Sequence, residues 1–189
     1  MATMLALSGI LFTGDSDIEG WATAAEWPKS VNLGVGGATC GDVAKKAEAH
    51  ISTYAPSVVV LVCGENDLAY GASVAKTMKR LTKAIDRLSS GGARVIYIGT
   101  KPEPSTKNLH KKYRNYNEKV RALARGGDGS FTFIDSYSSA TQTRSTRTTS
   151  CTSPTRATRS GRRGPRRRST TSRDAVSYTH LTLPTTPYV

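Results

Sequence analysis

An unbroken apolar run in the first third of the chain, Val58–Val62, restricts the folds open to this sequence. It reads VVVLV, whereas a strand with one face in water would alternate apolar and polar residues. Such a run is typical of a parallel strand that is covered on both faces. Four further β-rich segments surround it, so that the strand candidates are Leu5–Thr13, Ser30–Leu33, Ser57–Cys63, Arg94–Gly99 and Phe131–Ile134.

Segments with helical periodicity separate these strands, and helices are predicted over residues 42–54, 73–90 and 109–125. The second of them ends at Gly91-Gly92, a C-cap signal. It places one apolar stripe on the helix, formed by Val74, Met78, Leu81, Ile85 and Leu88. The repeated strand–helix order predicts a three-layer α/β/α sandwich with a mainly parallel sheet of about five strands. In such sheets, sites form at the carboxyl ends of the strands.

The composition changes abruptly after Ser138. Residues 139–175 contain no Val, Ile, Leu, Met, Phe, Trp or Tyr, and a segment of this kind buries too little apolar area to offset the entropy cost of ordering. The formal charge of +13 divides at the same point. Residues 1–138 hold 17 Lys+Arg and 13 Asp+Glu, a net of +4, and residues 139–189 hold 10 Arg and one acid, a net of +9. We therefore predict one domain over 1–138 and a disordered tail over 139–175.

Cysteine usage and the N-terminus suggest a cytoplasmic setting. Cys40, Cys63 and Cys151 are odd in number and lack metal-ligand spacing, so they predict neither a disulfide framework nor a zinc site. The apolar stretch Met4–Phe12 has no basic region before it and no small-residue cleavage site, which favours a core strand over a signal peptide. No stretch is long enough to span a membrane.

The first candidate motif is Gly14-Asp15-Ser16, at the end of the first strand. A hydroxyl at this point, at the start of a helix, is placed where the helix dipole and amide donors favour nucleophilic chemistry. The alternative is that Ser16 only caps the following helix.

Two more motifs follow strands. Asn32–Thr39 reads NLGVGGAT, and its glycines would let backbone amides approach a ligand, or would form only a tight turn. The Gly-x-Gly-x-x-Gly dinucleotide fingerprint fails there, because its last position is Thr39. Gly64–Asp67 reads GEND, in which Asn66 could donate to a developing oxyanion or could close an Asx turn.

Together, in this order and approximate spacing, the three motifs resemble blocks I, II and III of the SGNH (GDSL-type) hydrolases. The resemblance covers residues 1–138 and continues through Ile96–Pro102 and the Tyr113–Leu123 helix to Ile134-Asp135. It implies a flavodoxin-like SGNH hydrolase fold. It also implies a serine esterase that hydrolyses acetyl or short acyl esters of small molecules or carbohydrates, with no metal and no cofactor.

The resemblance also assigns roles to residues. Ser16 corresponds to the nucleophile. The backbone amides of Ser16 and Gly37 and the side-chain amide of Asn66 correspond to the oxyanion hole. Asp15 corresponds to a structural residue that shapes the turn.

The fourth family signature, Asp-x-x-His, is absent from this sequence. It supplies the base that accepts the serine proton and the acid that orients this base. The histidines here are His50, in the first long helix, His110, with no Asp three residues before it, and His180, near the end of the sequence. None matches the signature, and His110 is the candidate substitute base. We therefore expect a missing C-terminal helix and a catalytically crippled chain.

A change of reading frame after about Ser138 would account for this loss. If each true codon combines the third base of one residue with the first two of the next, Cys151-Thr152 encodes only His or Tyr. In the same frame Thr148-Thr149 permits Asp, which gives the Asp-x-x-His spacing. The last residues, 176–189, read VSYTHLTLPTTPYV and resemble a translated sequencing-library adapter.

Two other function classes stay open. The Arg/Ser/Thr-rich residues 139–175 could form a nucleic-acid-binding arm. A flavodoxin-like domain could bind a nucleotide at Gly34–Gly37. Under the esterase interpretation, the expected partner is an ester substrate, with neither nucleic acid nor membrane involved.

Overall fold

The computed structural model describes residues 9–127, 129 and 131–137 of the 189-residue chain. Five strands form one sheet: β1 (Ile10–Gly14), β2 (Val31–Gly34), β3 (Val58–Val62), β4 (Arg94–Ile98) and β5 (Phe131–Ile134). The strand order is β2-β1-β3-β4-β5, and all pairs are parallel. This confirms the predicted α/β class with a parallel five-stranded sheet.

Six α-helices connect the strands in the described part of the chain. They are α1 (Ser16–Glu19), α2 (Thr23–Glu26), α3 (Cys40–Tyr54), α4 (Glu65–Ala69), α5 (Val74–Ser89) and α6 (His110–Gly126), with a 3-10 helix over Pro104–Leu109. The long helices α3, α5 and α6 match the three that the sequence predicts. Thr39 begins α3 with a capping box, in which its hydroxyl accepts from Asp42 N and Asp42 accepts from Thr39 N.

The two faces of the sheet carry separate clusters of buried side chains. The larger cluster joins Leu61 of β3 and Tyr97 of β4 to residues of α3, α5 and α6. On the opposite face, Phe12 and Val62 pack with Ile18, Trp21 and Trp27 from the segment after β1. β3 is thus apolar on both faces because both are covered, as its unbroken run predicts.

The pairing register aligns the carboxyl ends of the strands. Gly14 pairs with Gly34 on one side and with Val62 on the other, and Val62 pairs with Ile98. The segments that follow β1, β2, β3 and β4 therefore begin at the same edge of the sheet. This edge is where the sequence motifs are predicted to form a site.

A disulfide between Cys40 and Cys63 corrects one expectation from the sequence. The two cysteines lie at the start of α3 and just after β3, with their Cα atoms 5.1 Å apart. An odd number of cysteines does not prevent two of them from pairing. Their separation of 23 residues carries no signal, because the sheet topology brings them together.

Several sequence predictions concern residues outside the described ranges. These are the start of the first strand candidate (residues 5–8), Cys151, His180, the tail over 139–175 and the adapter-like segment 176–189. Among the described residues, no helix has both the length and the apolar character needed to cross a bilayer.

Candidate active site

The segment after β1 presents Ser16 at the first position of α1. Asp15 is the N-cap residue, and its Oδ1 accepts from Asp17 N at 3.1 Å. Ser16 is therefore not the cap, and its hydroxyl forms no hydrogen bond to any other described residue. Gly14, with φ of 154°, approaches the Val62 carbonyl so closely that a Cβ there would collide with it. The nucleophile candidate thus has a free hydroxyl on a tightly fixed turn.

The segment after β2 is held by Asn32, the first residue of the second motif. Its Nδ2 donates to the carbonyls of Ile18 (2.6 Å) and Trp21 (2.9 Å), and its Oδ1 accepts from Gly34 N at 2.9 Å. These bonds connect the loop of the second motif to the polypeptide that follows Ser16. Gly37 has φ of 74°, a conformation that favours glycine.

The segment after β3 places Asn66 against the loop of the second motif, which contains Gly36 and Gly37 and is called the glycine loop. Asn66 Nδ2 donates to the Ala38 carbonyl at 3.1 Å, next to Gly37. Its neighbour Asp67 is fully buried, accepting from Cys40 N at 2.8 Å and from Arg80 Nη1 at 2.6 Å. Asn66 Oδ1, the atom that would close an Asx turn, accepts no hydrogen bond from another described residue, so that alternative finds no support in the described part of the chain.

These contacts bring two of the three predicted site residues into adjoining loops. Asn66 bonds directly to the loop that carries Gly37. Ser16 follows β1, the strand between β2 and β3 in the sheet, and thus lies between the other two in strand order.

A charged network at the same edge includes residues that the sequence analysis did not identify. Lys101, three residues after β4, donates from Nζ to both Asp17 oxygens at 2.7 Å and pairs with Glu103 at 2.6 Å. Its backbone N–H donates to Glu65 Oε1 at 2.7 Å. The available signal was position, because Lys101 follows a strand end as the three motifs do.

Two carboxyl groups at this edge have strongly raised pKa values. Burial raises the pKa of Asp15 to about 7, and the negative charge of Asp17 adds to this effect. Burial likewise raises the pKa of Glu65 to about 7, against the lowering influence of Lys101. Both groups flank residues of the candidate site in sequence, and such shifts cluster at functional sites.

The glycine loop is poorly suited to a phosphate group. Glu19 Oε2 lies 2.9 Å from the position that a Cβ on Gly36 would occupy. A carboxylate beside the loop repels an anion, so this observation counts against the nucleotide-binding alternative.

A comparison with protein families identifies the family of the chain. The model of the GDSL-like lipase/acylhydrolase family matches residues 13–157. The chain belongs to this family. The match begins one residue before Gly14-Asp15-Ser16 and extends past Ser138, where the resemblance in the sequence ended. No curated protein matches the chain in sequence.

Solved structures of GDSL proteins share the fold. A member of the lipolytic G-D-S-L family from Veillonella parvula has 23% identity and a TM-score of 0.61, over 72% of this chain and 82% of its own. A GDSL-like lipase from Bacteroides thetaiotaomicron has 19% identity and a TM-score of 0.60, over 71% and 72%. The psychrotrophic esterase EstA from Pseudoalteromonas has 19% identity and a TM-score of 0.52, over 66% and 76%.

Neither histidine in the described part of this GDSL-family protein forms a hydrogen bond with Ser16. His110 Nε2 lies 2.8 Å from the Glu103 carbonyl oxygen, and its ring meets Tyr137 edge-on at 5.9 Å. His50 lies in α3, where burial and the charge of Lys46 lower its pKa. The structure thus lends no support to His110 as a substitute base.

Asp135, at the end of β5, is engaged with α6. It accepts from Asn117 Nδ2 at 3.3 Å and forms an ion pair with Arg121. Asn117 in turn bonds to Thr100, which follows β4. Asp135 therefore ties the last described strand to the neighbouring helix.

Proposed function

We propose that this GDSL-family protein is a serine acylhydrolase acting on acetyl or short acyl esters of small molecules or sugars. The single observation that carries the proposal is the hydrogen bond from Asn66 to the Ala38 carbonyl, because it holds Asn66 next to the residue that follows Gly37, at the strand edge where Ser16 follows β1. Family membership supports ester hydrolysis as the reaction class.

In the proposed reaction, Ser16 Oγ attacks the acyl carbonyl carbon. The backbone amides of Ser16 and Gly37 and the Asn66 side-chain amide donate to the oxyanion of the tetrahedral intermediate, which is the usual role of such donors. Collapse of the intermediate releases the alcohol and leaves an acyl group on Ser16. Water then attacks this acyl group and regenerates the serine.

The proton transfers are the weak step in this chain. A serine hydroxyl needs a base at the moment of attack, and this sequence contains no Asp-x-x-His. We infer that turnover is severely reduced, since loss of a triad histidine costs roughly four to six orders of magnitude. The oxyanion donors would leave a slow residual reaction, in which bulk water or hydroxide removes the proton.

The test is acyl transfer from p-nitrophenyl acetate, followed by p-nitrophenolate release and by the mass of the protein. We expect slow acetylation at Ser16, and we expect Ser16→Ala to abolish it. Ser52→Ala is the matched control, because Ser52 is exposed in α3, where its hydroxyl donates to the Ala49 carbonyl. Equal acetylation of Ser16→Ala and the unmodified chain would reject the proposal.

A second measurement addresses the missing base. A chain whose reading frame is restored after Ser138, if the underlying DNA encodes Asp-x-x-His there, should hydrolyse the same ester with full turnover. A restored chain no faster than the present one would contradict the proposed cause of the defect.

The cytoplasmic location expected from the sequence stays a prediction. The Cys40–Cys63 disulfide counts against it, because such bonds persist mainly in oxidising compartments.

A further inference from the structure

Lys101 connects the segments that follow three different strands. Its side chain is only 24% exposed, and its ammonium group binds the carboxylates of Asp17 and Glu103 at 2.6 to 2.7 Å. Its backbone N–H donates to Glu65 at 2.7 Å. Asp17 follows β1, Glu65 follows β3 and Glu103 follows β4, so one residue joins the chain at three places along the active edge.

The side-chain half of this connection acts on the segment that carries Ser16. Asp17 is the residue directly after Ser16, in a helix only four residues long. A helix this short is not stable by itself, so its orientation depends on contacts with the rest of the protein. The two bonds from Lys101 Nζ to Asp17 therefore help to set the direction in which the Ser16 hydroxyl points.

The backbone half acts on the segment that carries Asn66. Glu65 is the residue directly before Asn66, at the start of the five-residue helix α4. Accepting the Lys101 N–H fixes the first turn of that helix. Asn66 is held from the other side by its bond to the Ala38 carbonyl.

The electrostatic setting keeps Lys101 charged. Burial acts to lower the pKa of the ammonium group, but the carboxylates of Asp17 and Glu65 outweigh burial and raise this pKa above its ordinary value. The carboxyl groups near the ammonium are Asp17, Glu65 and Glu103, with Asp15 further along the same turn; those of Glu65 and Asp15, whose pKa values are raised to about 7, are mostly ionised only above that pH. The ammonium group of Lys101 should therefore stay charged at every pH at which an ester assay is practical.

We propose that Lys101 is a positioning residue of the acylation reaction, which holds the Ser16 turn and the Asn66 turn in a fixed relation. The inference rests on the proposed function, because it assigns Lys101 to the reaction of Ser16. Lys101 does not touch the ester in this scheme. Its effect is on the alignment of nucleophile and oxyanion donor, and a displacement of about 1 Å can cost about a hundredfold in rate.

The experiment compares Lys101→Met, Lys101→Arg and Lys107→Met by the rate of Ser16 acetylation from p-nitrophenyl acetate. Lys107 is the matched control, because it is exposed in the nearby 3-10 helix. We expect Lys101→Met to lower the limiting rate at saturating ester by about tenfold or more, with little change in the half-saturating concentration. Lys101→Arg should recover most of the rate, since a guanidinium can still bind both Asp17 oxygens. Lys107→Met should match the unmodified chain.

Further variants separate the possible failures. If Lys101→Met does not fold, Asp17→Asn removes the partner charge at a position that is 36% exposed, and it should lower the limiting rate in the same way. The inference would be overturned, with Ser16 acetylation still standing, if the folded Lys101→Met variant kept the limiting rate of the unmodified chain. If Lys101→Met does not fold, an unchanged limiting rate in Asp17→Asn would overturn it in the same way. A loss equally large in Lys101→Arg and Lys101→Met, or a change confined to half-saturation, would also overturn it. An unmodified chain that is not acetylated at Ser16 would instead overturn the proposed function, and this inference with it.

Discussion

Asp15 is 2% exposed and lies between Gly14 and the proposed nucleophile. Burial raises its pKa from 3.8 to about 7, so the folded protein holds a proton that the unfolded chain releases near pH 4. The stabilisation from this proton is complete below about pH 4 and is lost as the pH rises to about 7. Each pKa unit corresponds to about 1.4 kcal/mol.

We therefore expect the free energy of unfolding to fall between pH 5 and pH 7 and then to level off, with Glu65 contributing in the same direction because its pKa is also raised to about 7. Asp15→Asn should reduce this fall, because an amide can still accept from Asp17 N but does not titrate. Urea denaturation at a series of pH values measures how steeply the free energy of unfolding falls with pH in the unmodified chain and in Asp15→Asn.

Asp42→Asn is the control for this series. Hydrogen bonds from Thr39 lower the pKa of Asp42 to about 2, so its contribution is present above about pH 4 and is lost only at lower pH. Asp42→Asn should therefore change the free energy of unfolding by a similar amount throughout pH 5 to pH 7 and leave its slope against pH unchanged. An Asp15→Asn slope equal to that of the unmodified chain would show that Asp15 is not the titrating group.

At the level of helices and strands, the strands and the long helices could be predicted from the sequence, and the short helices could not. Strands such as β3 and helices such as α5 carry a periodic apolar pattern over several residues. Helices α1, α2 and α4 have only four or five residues, less than two turns, so they show no stripe. Their formation depends on caps and on tertiary contacts.

The Cys40–Cys63 disulfide joins two points of the chain that lie three residues from parts of the proposed oxyanion hole, Gly37 and Asn66. It connects the start of α3, just after the glycine loop, to the residue before Gly64. We expect the Cys40→Ala/Cys63→Ala double variant to lose about 3 kcal/mol of unfolding free energy, the value for cross-linking a loop of this order of length.

Denaturation with urea, with and without a reductant, tests this prediction. A reductant should lower the free energy of unfolding of the unmodified chain, because it breaks the disulfide in the unfolded state. It should have no effect on the double variant. A double variant as stable as the unmodified chain, or one that responds equally to reductant, would contradict a stabilising role for this bond.

Over the whole molecule, the sequence predicted which segments meet but not how they are held. Ser16, Gly37 and Asn66 could be proposed as site residues because each belongs to a short motif after a strand, and the three motifs together resemble those of the SGNH hydrolases. For Lys101 the sequence offered only its position after a strand, because its partners Asp17 and Glu65 are 84 and 36 residues away and meet it only through the parallel topology. The Cys40–Cys63 pair was missed for the same reason.

The extent of the folded unit can be tested by truncation. The last strand ends at Ile134, Ser136 and Tyr137 are helical at the end of the described residues, and residues 139–175 have no large apolar side chain to add to the core. We expect truncation after Ser138 to leave the free energy of unfolding unchanged within about 0.5 kcal/mol, the usual effect of changes away from packed contacts. Urea denaturation of the truncated and full chains measures it.

A second truncation, after Ala157, distinguishes between two possible ends of the folded domain, near Ser138 and near Ala157. The family match continues to residue 157, whereas the composition changes after Ser138. Ile134 on the edge strand β5 is 45% exposed, so the sheet has apolar surface that a further segment could cover. If residues 139–157 pack there, the chain ending at Ala157 will keep full stability and the chain ending at Ser138 will lose it. Equal stability of both would place the end of the folded domain at the composition break.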